Sequence, residues 1–587
     1  MAHASRLFSR HLYVVACEQR PGFKNLASTY SYSNASCQQQ SVSIRPVLLL
    51  PLGQMAELVD GEKESQGGRE LSSSEQTKTA FIDDKFDVVI SELEQRGWKR
   101  CPFQSSRCDL VWTNLARIDW KKITPSQIVN HVRGSQHLSN KSFLAFHMAA
   151  CGNEHHMPLQ WSAAYQDLGE LISMVALCTI YGAYVAILEN EHGGQEEGKK
   201  AMCSSISEVE KLLRIIDMDA DVKKSASNES SRFLLAALTE GSDLGAALTS
   251  IEKNKGGMIS RSLVGSKGIW IVKEVGSSCG RGISICAGAK ELLRVVESMN
   301  FKCVVQKYIE RPLLVRNRRK FDIRQWIVVR SLNPLVIYGF SEFYCRLSRR
   351  VYDLSPEHYE DPAMHLCNHA VQSAASESTI DGATSSTSRR EKYQCDSMMS
   401  QAEFEEHLQS LSPPVSLPAT LLPQIKQASV DAVSSVTSSL STAGKSSFEW
   451  LGLDLMVTED MTVRLIEVNV SPDVSQSTPI TARLVKSAVR GLLPLVLEEA
   501  TPEEEGTDPA WEQWYPKMDL SSMGEVEVTE SKHEAKPRSL SSDYSPRKKH
   551  IFDRALLSLE PMVSSDTAAG GSRDEGGVLS DDSEEEL

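Results

Sequence analysis

Apolar and polar positions fall in blocks along this chain, and the clearest block lies late. Two apolar runs, Trp450–Val457 and Val463–Val470, flank the polar stretch Thr458–Thr462. That pattern predicts a β-hairpin. Upstream, Ile269–Val272 reads as a buried-type strand ending at Lys273. A small-residue loop, Gly276–Gly282, follows it, and then a second strand, Ile283–Cys286. Val304–Ile309 and Phe321–Val329 predict two more strands, and residues 335–347 a strand pair. Helical periods fill most of 160–250. Amphipathic helices are expected within 402–411 and 422–440, and Thr478–Glu499 is a closing helix with Pro479 near its start. Nearer the N-terminus, FDVVISELEQRGWKR predicts a helix running to a turn at Gly97, and DLVWTNL a short strand. Thr124-Pro-Ser-Gln carries the start signals of a helix. These elements predict a small α/β unit before a larger catalytic body.

Composition then sets limits. The 587 residues suffice for three or four average domains, or one large catalytic body with insertions. A formal net charge of −14 argues against a general nucleic-acid binder. Thirteen cysteines without a CxxC pair point to free thiols in a reducing compartment. Residues 1–46 are basic, Ser-rich and acid-poor, which fits a transit peptide, a disordered start or an inexact gene start. Leu171–Leu188 holds 18 uncharged residues, just enough to span a bilayer. Acids flank it on both sides, at Glu170 and Glu189, so a buried helix is the expectation and no membrane partner is.

The resulting organisation is a disordered or targeting-like segment over 1–80 and an α/β and helical unit over 81–260, with an insertion near 190–230. A catalytic domain follows over 261–500, with a Ser-rich insertion near 373–445, and an acidic disordered tail over 501–587.

Candidate chemistry concentrates on the predicted strands. If the hairpin turn is a symmetric loop, Glu459–Thr462, then Asp454 lies opposite Glu467, and Asn469 shares the face of Glu467. Two like charges facing each other cost up to about 1 kcal/mol, and desolvation raises that cost. A divalent cation reverses the sign, and two carboxylates with an amide oxygen are hard ligands of the kind Mg²⁺ takes. The alternative is a hairpin whose acids point at solvent. Around Lys273 the order is lysine, glycine loop, strand. A Walker loop, a kinase loop and a dinucleotide fold each need a different order. Glycines let backbone N–H groups approach phosphate while the lysine supplies charge; a solvent hairpin turn with a surface lysine is the other reading. Lys320, Asp322 and Arg324 alternate on one strand face, either as an exposed salt-bridge ladder or as working charges. Arg311, Arg316, Arg318, Arg319, Arg346, Arg349 and Arg350 make a local basic cluster, suited to an acidic peptide.

In this order, WIVK…GRGI at 270–283, VVQKYIERPLL at 304–314, KFDIRQW at 320–326, FYCRLS at 343–348, HLCNHAVQ at 365–372 and LIEVNVSP at 465–472 resemble the tubulin tyrosine ligase-like family of ATP-grasp amino-acid ligases. ELEQRGWKR, DLVWTNL and QIVNHVRGSQHLSNKSFL are similar to the N-terminal unit of its glycylase branch. The resemblance implies an α+β ATP-grasp fold, two α/β subdomains gripping ATP. It implies Lys273 on the ATP phosphates beneath a flap of Gly280, Arg281 and Gly282. Gln306, Lys307, Tyr308 and Ile309 match the hinge that reads adenine, with Lys320 and Asp322 on nucleotide and ribose. Arg324 and Arg346 would stabilise phosphate and the acyl intermediate, with Asn368 beside the triphosphate. Asp454, Glu467 and Asn469 would hold Mg²⁺. The implied reaction activates a glutamate side chain in a tubulin C-terminal tail as an acyl phosphate, which free glycine then attacks. A glutamate ligase of the same family, or an inactive microtubule-binding scaffold, are the alternatives. A monomer in the cytoplasm, on microtubules of a cilium or flagellum, is implied as well. The chain departs from the family at Glu274, Cys279, Arg464 and 151–165.

Overall fold

The computed structural model describes residues 77–190, 195–218, 229–240, 244–255, 258–277, 280–372, 397–497, 510–516, 556, 558 and 559. The expected N-terminal segment, up to residue 76, and most of the expected C-terminal tail lie outside these. Contacts divide the chain into Met1–Lys78 with Gly97–Lys99, and Thr79–Arg96 with Arg100–Leu587. Of the first unit only residues 77–78 and 97–99 are described; the second holds the three sheets and their helices.

Near its start, β1 (Thr79–Ile82), β2 (Leu110–Trp112) and β3 (Ile128–Val129) pair in parallel, and α1 (Asp87–Gln95) lies between the first two in sequence. Ser446–Ser447 adds in parallel beside β3. The helix expected after Thr124 does not form. Thr124–Gln127 is a turn (Gln127 N–H to the Thr124 carbonyl, 3.2 Å) leading straight into β3. Proline suits the second place of such a turn as well as a helix start. Gln127 decides between them: its Nε2 donates to the Ser105 and Cys108 carbonyls, both at 2.8 Å. After the loop comes α2 (Lys141–Ala150), capped by Asn140, whose side chain accepts from the Ser142 and Phe143 N–H groups.

The next sheet has β4 (Gln160–Ser162), β5 (Ile269–Glu274), β6 (Ile283–Ala287) and β7 (Cys303–Lys307) in the order β4-β7-β5-β6. Its core is shared with α3 (Leu168–Asn190), α4 (Gln195–Met218), α5 (Glu229–Glu240), α6 (Leu244–Asn254) and α7 (Gly288–Ser298). α3 contains the long apolar stretch. It is long and apolar enough to cross a membrane, but 72% of that window is buried among these helices and strands. The region expected as an insertion near 190–230 is largely the helix α4, whose Val209, Leu212 and Ile216 are buried; residues 191–194 and 219–228 lie outside the described part.

The largest sheet has seven strands. Its axis is β8 (Arg319–Leu332). Along one edge β8 pairs with β9 (Leu335–Phe340) and β10 (Tyr344–Val351), and β10 in turn with β11 (Met398–Ser400). α8 (Gln401–Gln409) and α9 (Leu422–Val436) then pack Phe404, Leu408, Ile425 and Val433 into the core. So the described part of the Ser-rich insertion, 397–445, is substantially core; 373–396 is not described. The serines fit because a helix can take up their hydroxyls: Ser429 and Ser435 each donate to the carbonyl four residues back, both at 2.7 Å.

On the other edge of β8 lies the predicted hairpin, β12 (Glu449–Val457) with β13 (Val463–Val470). Asp454 pairs with Glu467, as expected, but by a different route. The turn has five residues, since Val457 pairs with Val463. A bulge between the Leu455–Leu465 and Asp454–Glu467 pairs leaves Ile466 over and restores the register. α10 (Pro479–Leu497) closes the body. A last strand, β14 (Trp511–Tyr515), then pairs with β9 inside the stretch expected to be a disordered tail.

Candidate active site

β8 alternates strictly, so Lys320, Asp322 and Arg324 share one face. That face is no exposed ladder: the three side chains are buried, at 3%, 8% and 6% exposure. Register then brings in the neighbouring strands. Arg346 on β10 lies opposite Asp322, and Asp454 on β12 opposite Arg324. Arg346 grips Asp322 with two hydrogen bonds, from Nε at 2.6 Å and Nη2 at 2.7 Å. Its Nη2 also lies 2.8 Å from Asp454 Oδ2. Arg324 Nε donates to Asp454 Oδ1 at 2.6 Å. Burial alone would raise the Asp454 carboxyl, but Arg324 and Arg346 hold it well below the usual carboxylate range. Burial raises Asp322 while Arg346 pulls it down; with both oxygens accepting from one guanidinium, it is an ion pair.

These groups form one wall of a cavity of about 710 Å³ between the four-stranded and seven-stranded sheets. Every predicted site residue lines it except Gly282: Lys273, Gly280, Arg281, Gln306, Lys307, Tyr308, Ile309, Lys320, Asp322, Arg324, Arg346, Asn368, Asp454, Glu467 and Asn469. Gly282 closes the loop beside Glu274, at φ +63, where a Cβ would meet Glu274 Oε2 at 2.7 Å. Ser278 and Cys279 of that loop are outside the described residues.

Two lysines face the cavity from opposite sheets. Burial lowers both ammonium groups to about 8, with Glu467 pulling Lys273 back up. Lys320 Nζ donates to the Tyr308 hydroxyl at 2.7 Å and to the His365 carbonyl at 3.0 Å. Tyr308 in turn lies 2.9 Å from His365 Nδ1, and His365 Nε2 is 2.9 Å from the His358 carbonyl. That carbonyl only accepts, so Nε2 carries a proton; burial lowers His365 to about 4, which leaves Nδ1 to accept from Tyr308. Lys307 differs from its expected role. Its side chain turns away, to the Ile269 carbonyl at 2.7 Å and Glu310 at 2.6 Å. The Lys307 and Tyr308 N–H groups are likewise taken, by the Leu159 and Ile269 carbonyls.

The donor set expected for Mg²⁺ fits that ion in one respect and not in another. Asp454, Glu467 and Asn469 do lie together, all oxygen donors, and the Asn469 amide nitrogen is buried without a partner. Among the described residues there is no cluster of three His, Cys, Asp or Glu groups able to hold a metal. The like-charge argument also weakens, because the arginines already neutralise Asp454, and Lys141 lies 3.4 Å from Glu467. A carboxylate oxygen still keeps a second lone pair for an ion.

Sequence reasoning missed Lys141 and Glu310. Lys141 stands in the quoted SNKSFL text, but nothing local distinguishes it from a surface lysine. Glu310 accepts from the Lys267 and Ile269 N–H groups, at 2.7 and 2.8 Å, and so holds the turn before β5. Within the basic cluster, several arginines have acidic partners in the fold. Arg311 pairs with Glu189 and Glu459, Arg316 with Glu403 and Arg350 with Asp361, all as partly exposed ion pairs.

Fold and site together define a mixed helix-and-sheet protein with a deep, cation-bearing cavity between two antiparallel sheets. The model of the Tubulin-tyrosine ligase family matches residues 210–505, half of the chain, and the chain belongs to that family. It is 34% identical over 239 residues to the tubulin monoglycylase TTLL3 of Homo sapiens, covering 40% of this chain and 29% of that protein. It is 34% identical over 236 residues to tubulin glycylase 3C of Tetrahymena thermophila, covering 40% and 21%. To the protein monoglycylase TTLL8 of Mus musculus it is 33% identical over 239 residues, covering 40% and 27%. The matched region thus spans less than a third of these relatives.

Proposed function

We propose that this chain is an ATP-dependent carboxylate–amine ligase of the ATP-grasp type, joining free glycine to glutamate side chains of tubulin C-terminal tails. The observation that carries the reading is the convergence of Lys273, Lys320, Arg324, Arg346, Asp454, Glu467 and Asn469 on one cavity from two sheets. Names of the relatives supply the glycine and the tubulin.

In this reading the lysines bind the ATP phosphates, and Lys320 is oriented for that by Tyr308 and the His365 carbonyl. Gln306 and the 307–309 segment border the base. Asp454, Glu467 and Asn469 hold Mg²⁺, which offsets phosphate charge when bound. The acceptor carboxylate takes the γ-phosphoryl group, releasing ADP and leaving an acyl phosphate. The glycine amine then attacks that carbonyl, an amide bond forms, and phosphate leaves with the bonding pair. The amine proton passes to solvent. Arg324, which uses its Nε on Asp454, is placed to steady the charge that develops. The flap of Gly280 and Arg281 would keep water from the acyl phosphate. The proposed setting is the cytoplasm and cytoskeleton, on microtubules of a cilium or flagellum.

The test is incorporation of labelled glycine into microtubules with Mg-ATP, beside labelled glutamate and beside Glu467→Gln. Glycine transfer that is lost in the variant is expected. Transfer of glutamate alone would reject the glycine reading, and transfer of neither would reject the ligase reading.

A further inference from the structure

The text Gln127–His131, QIVNH, has no part in the reaction just described, yet its polar side chains take part in a buried hydrogen-bond network that runs to the edge of the cavity. Glu449, fully buried at the start of β12, faces His131 Nδ1 at 2.6 Å through one oxygen. Its other oxygen accepts from the Val132 N–H at 2.9 Å and from the Ser135 hydroxyl. His131, at 1% exposure, reaches with Nε2 to the Thr113 carbonyl at 2.8 Å and to Ser471 Oγ at 3.2 Å. The Leu115 N–H also donates to Ser471 Oγ, at 3.3 Å. One imidazole therefore touches the residue that opens β12 and the residue that follows β13.

Ser471 needs such anchors. Its φ is +55, a region that residues other than glycine rarely adopt. It stands two residues after Asn469, whose amide nitrogen is buried without a partner. A side chain with so little hydrogen bonding of its own takes its position from its backbone. That backbone is held by the ladder, with Asn469 opposite Gly452 and Val470 opposite Leu451, and the ladder's exit is anchored at Ser471.

We propose that His131, anchored on Glu449, is a positioning residue that fixes Ser471 and through it Asn469 as a divalent-ion ligand. The inference rests on the nucleotide-and-magnesium reading of the cavity. Outer partners of this kind commonly govern ion affinity without touching the ion.

Two variants of the full chain test it. Ser471→Ala removes the hydroxyl alone. His131→Asn keeps an N–H for Glu449 and removes the Nε2 arm. Calorimetric binding of a non-hydrolysable ATP analogue is followed as Mg²⁺ rises, with the ligand-free unfolding temperature measured alongside. In each variant the half-saturating Mg²⁺ is expected to rise about 10-fold, with the double variant no worse. Analogue affinity without Mg²⁺ and the unfolding temperature of Ser471→Ala are expected to stay unchanged. An unchanged Mg²⁺ requirement in Ser471→Ala overturns the inference, as does an equal loss of Mg²⁺-free binding. A wild-type protein whose analogue binding ignores Mg²⁺ overturns both this inference and the reading beneath it; a normal wild-type response with unaltered variants overturns only the inference.

Discussion

Asp454 meets two guanidinium groups while Glu467, on the facing strand, meets a lysine at 3.4 Å and is 22% exposed. The two carboxylates therefore respond differently to loss of charge. Asp454→Asn leaves buried arginines short of a partner and is expected to cost about 3–5 kcal/mol of unfolding free energy. Glu467→Gln is expected to cost under about 1 kcal/mol, and to lose activity all the same. Urea unfolding of the two variants checks the contrast; equal costs would contradict it. Lys273 and Lys320 give a pH dependence. Each is lowered from 10.5 to about 8 by burial. Between those values the unfolded chain binds more protons than the folded one, so ligand-free stability gains from these groups as pH rises from about 8 to 10.5. Phosphate binding runs the other way, because it needs the charged form. Affinity for an ATP analogue is expected to fall as pH rises through about 8 to 9.5, and Lys273→Met to weaken it about 10- to 100-fold through loss of a charged hydrogen bond. Binding titrations at several pH values test both.

Among the elements, β14 is the one that composition concealed. The tail around it is acidic and Ser-rich, yet Trp511 and Trp514 are each under a tenth exposed, and Gly339 on β9 leaves room for the Trp514 ring. Trp511→Ala is expected to destabilise by about 3 kcal/mol, the range for a buried Trp truncation, read as a shift in the urea midpoint. Strands with apolar runs were legible because burial on both faces leaves a continuous signature; β5, β7, β8 and the hairpin follow it. What misled was local chemistry that serves two structures. Thr124-Pro starts a turn as readily as a helix. The helix at 422–440 is expected from its period, but the Ser-rich text around it reads as an insertion until the hydroxyls of Ser429 and Ser435 are seen bonded four residues back inside a core helix. The Asp454–Glu467 pairing was foreseen through a four-residue turn, while the chain uses a five-residue turn and a bulge at Ile466. Two departures of one residue cancel, and no spacing rule reveals that.

At the scale of the whole molecule, the cavity residues were readable as separate motifs because each strand carries its own charged pattern. Their partners were not, since partnership across β8, β10 and β12 depends on register. The same limit applies to the arginines between 311 and 350. Counted along the sequence they form a basic surface, but folded they answer acids such as Glu189, Glu403, Glu459 and Asp361. Arg316→Ala is accordingly expected to lower stability by no more than about 1 kcal/mol and to leave the KM for an acidic tail peptide unchanged. A several-fold rise in that KM would restore the docking role.

The chain Asp322–Arg346–Asp454–Arg324 also sums to no net charge, and that governs which anions the cavity admits. A lone sulfate or phosphate offers a guanidinium little more than an aspartate already gives it. The attraction of an incoming anion therefore falls largely to Lys273 and Lys320, which reach the same cavity from opposite sheets. The four-membered chain thus shapes one wall of the pocket, while the charge that draws an anion inward is supplied by the lysines.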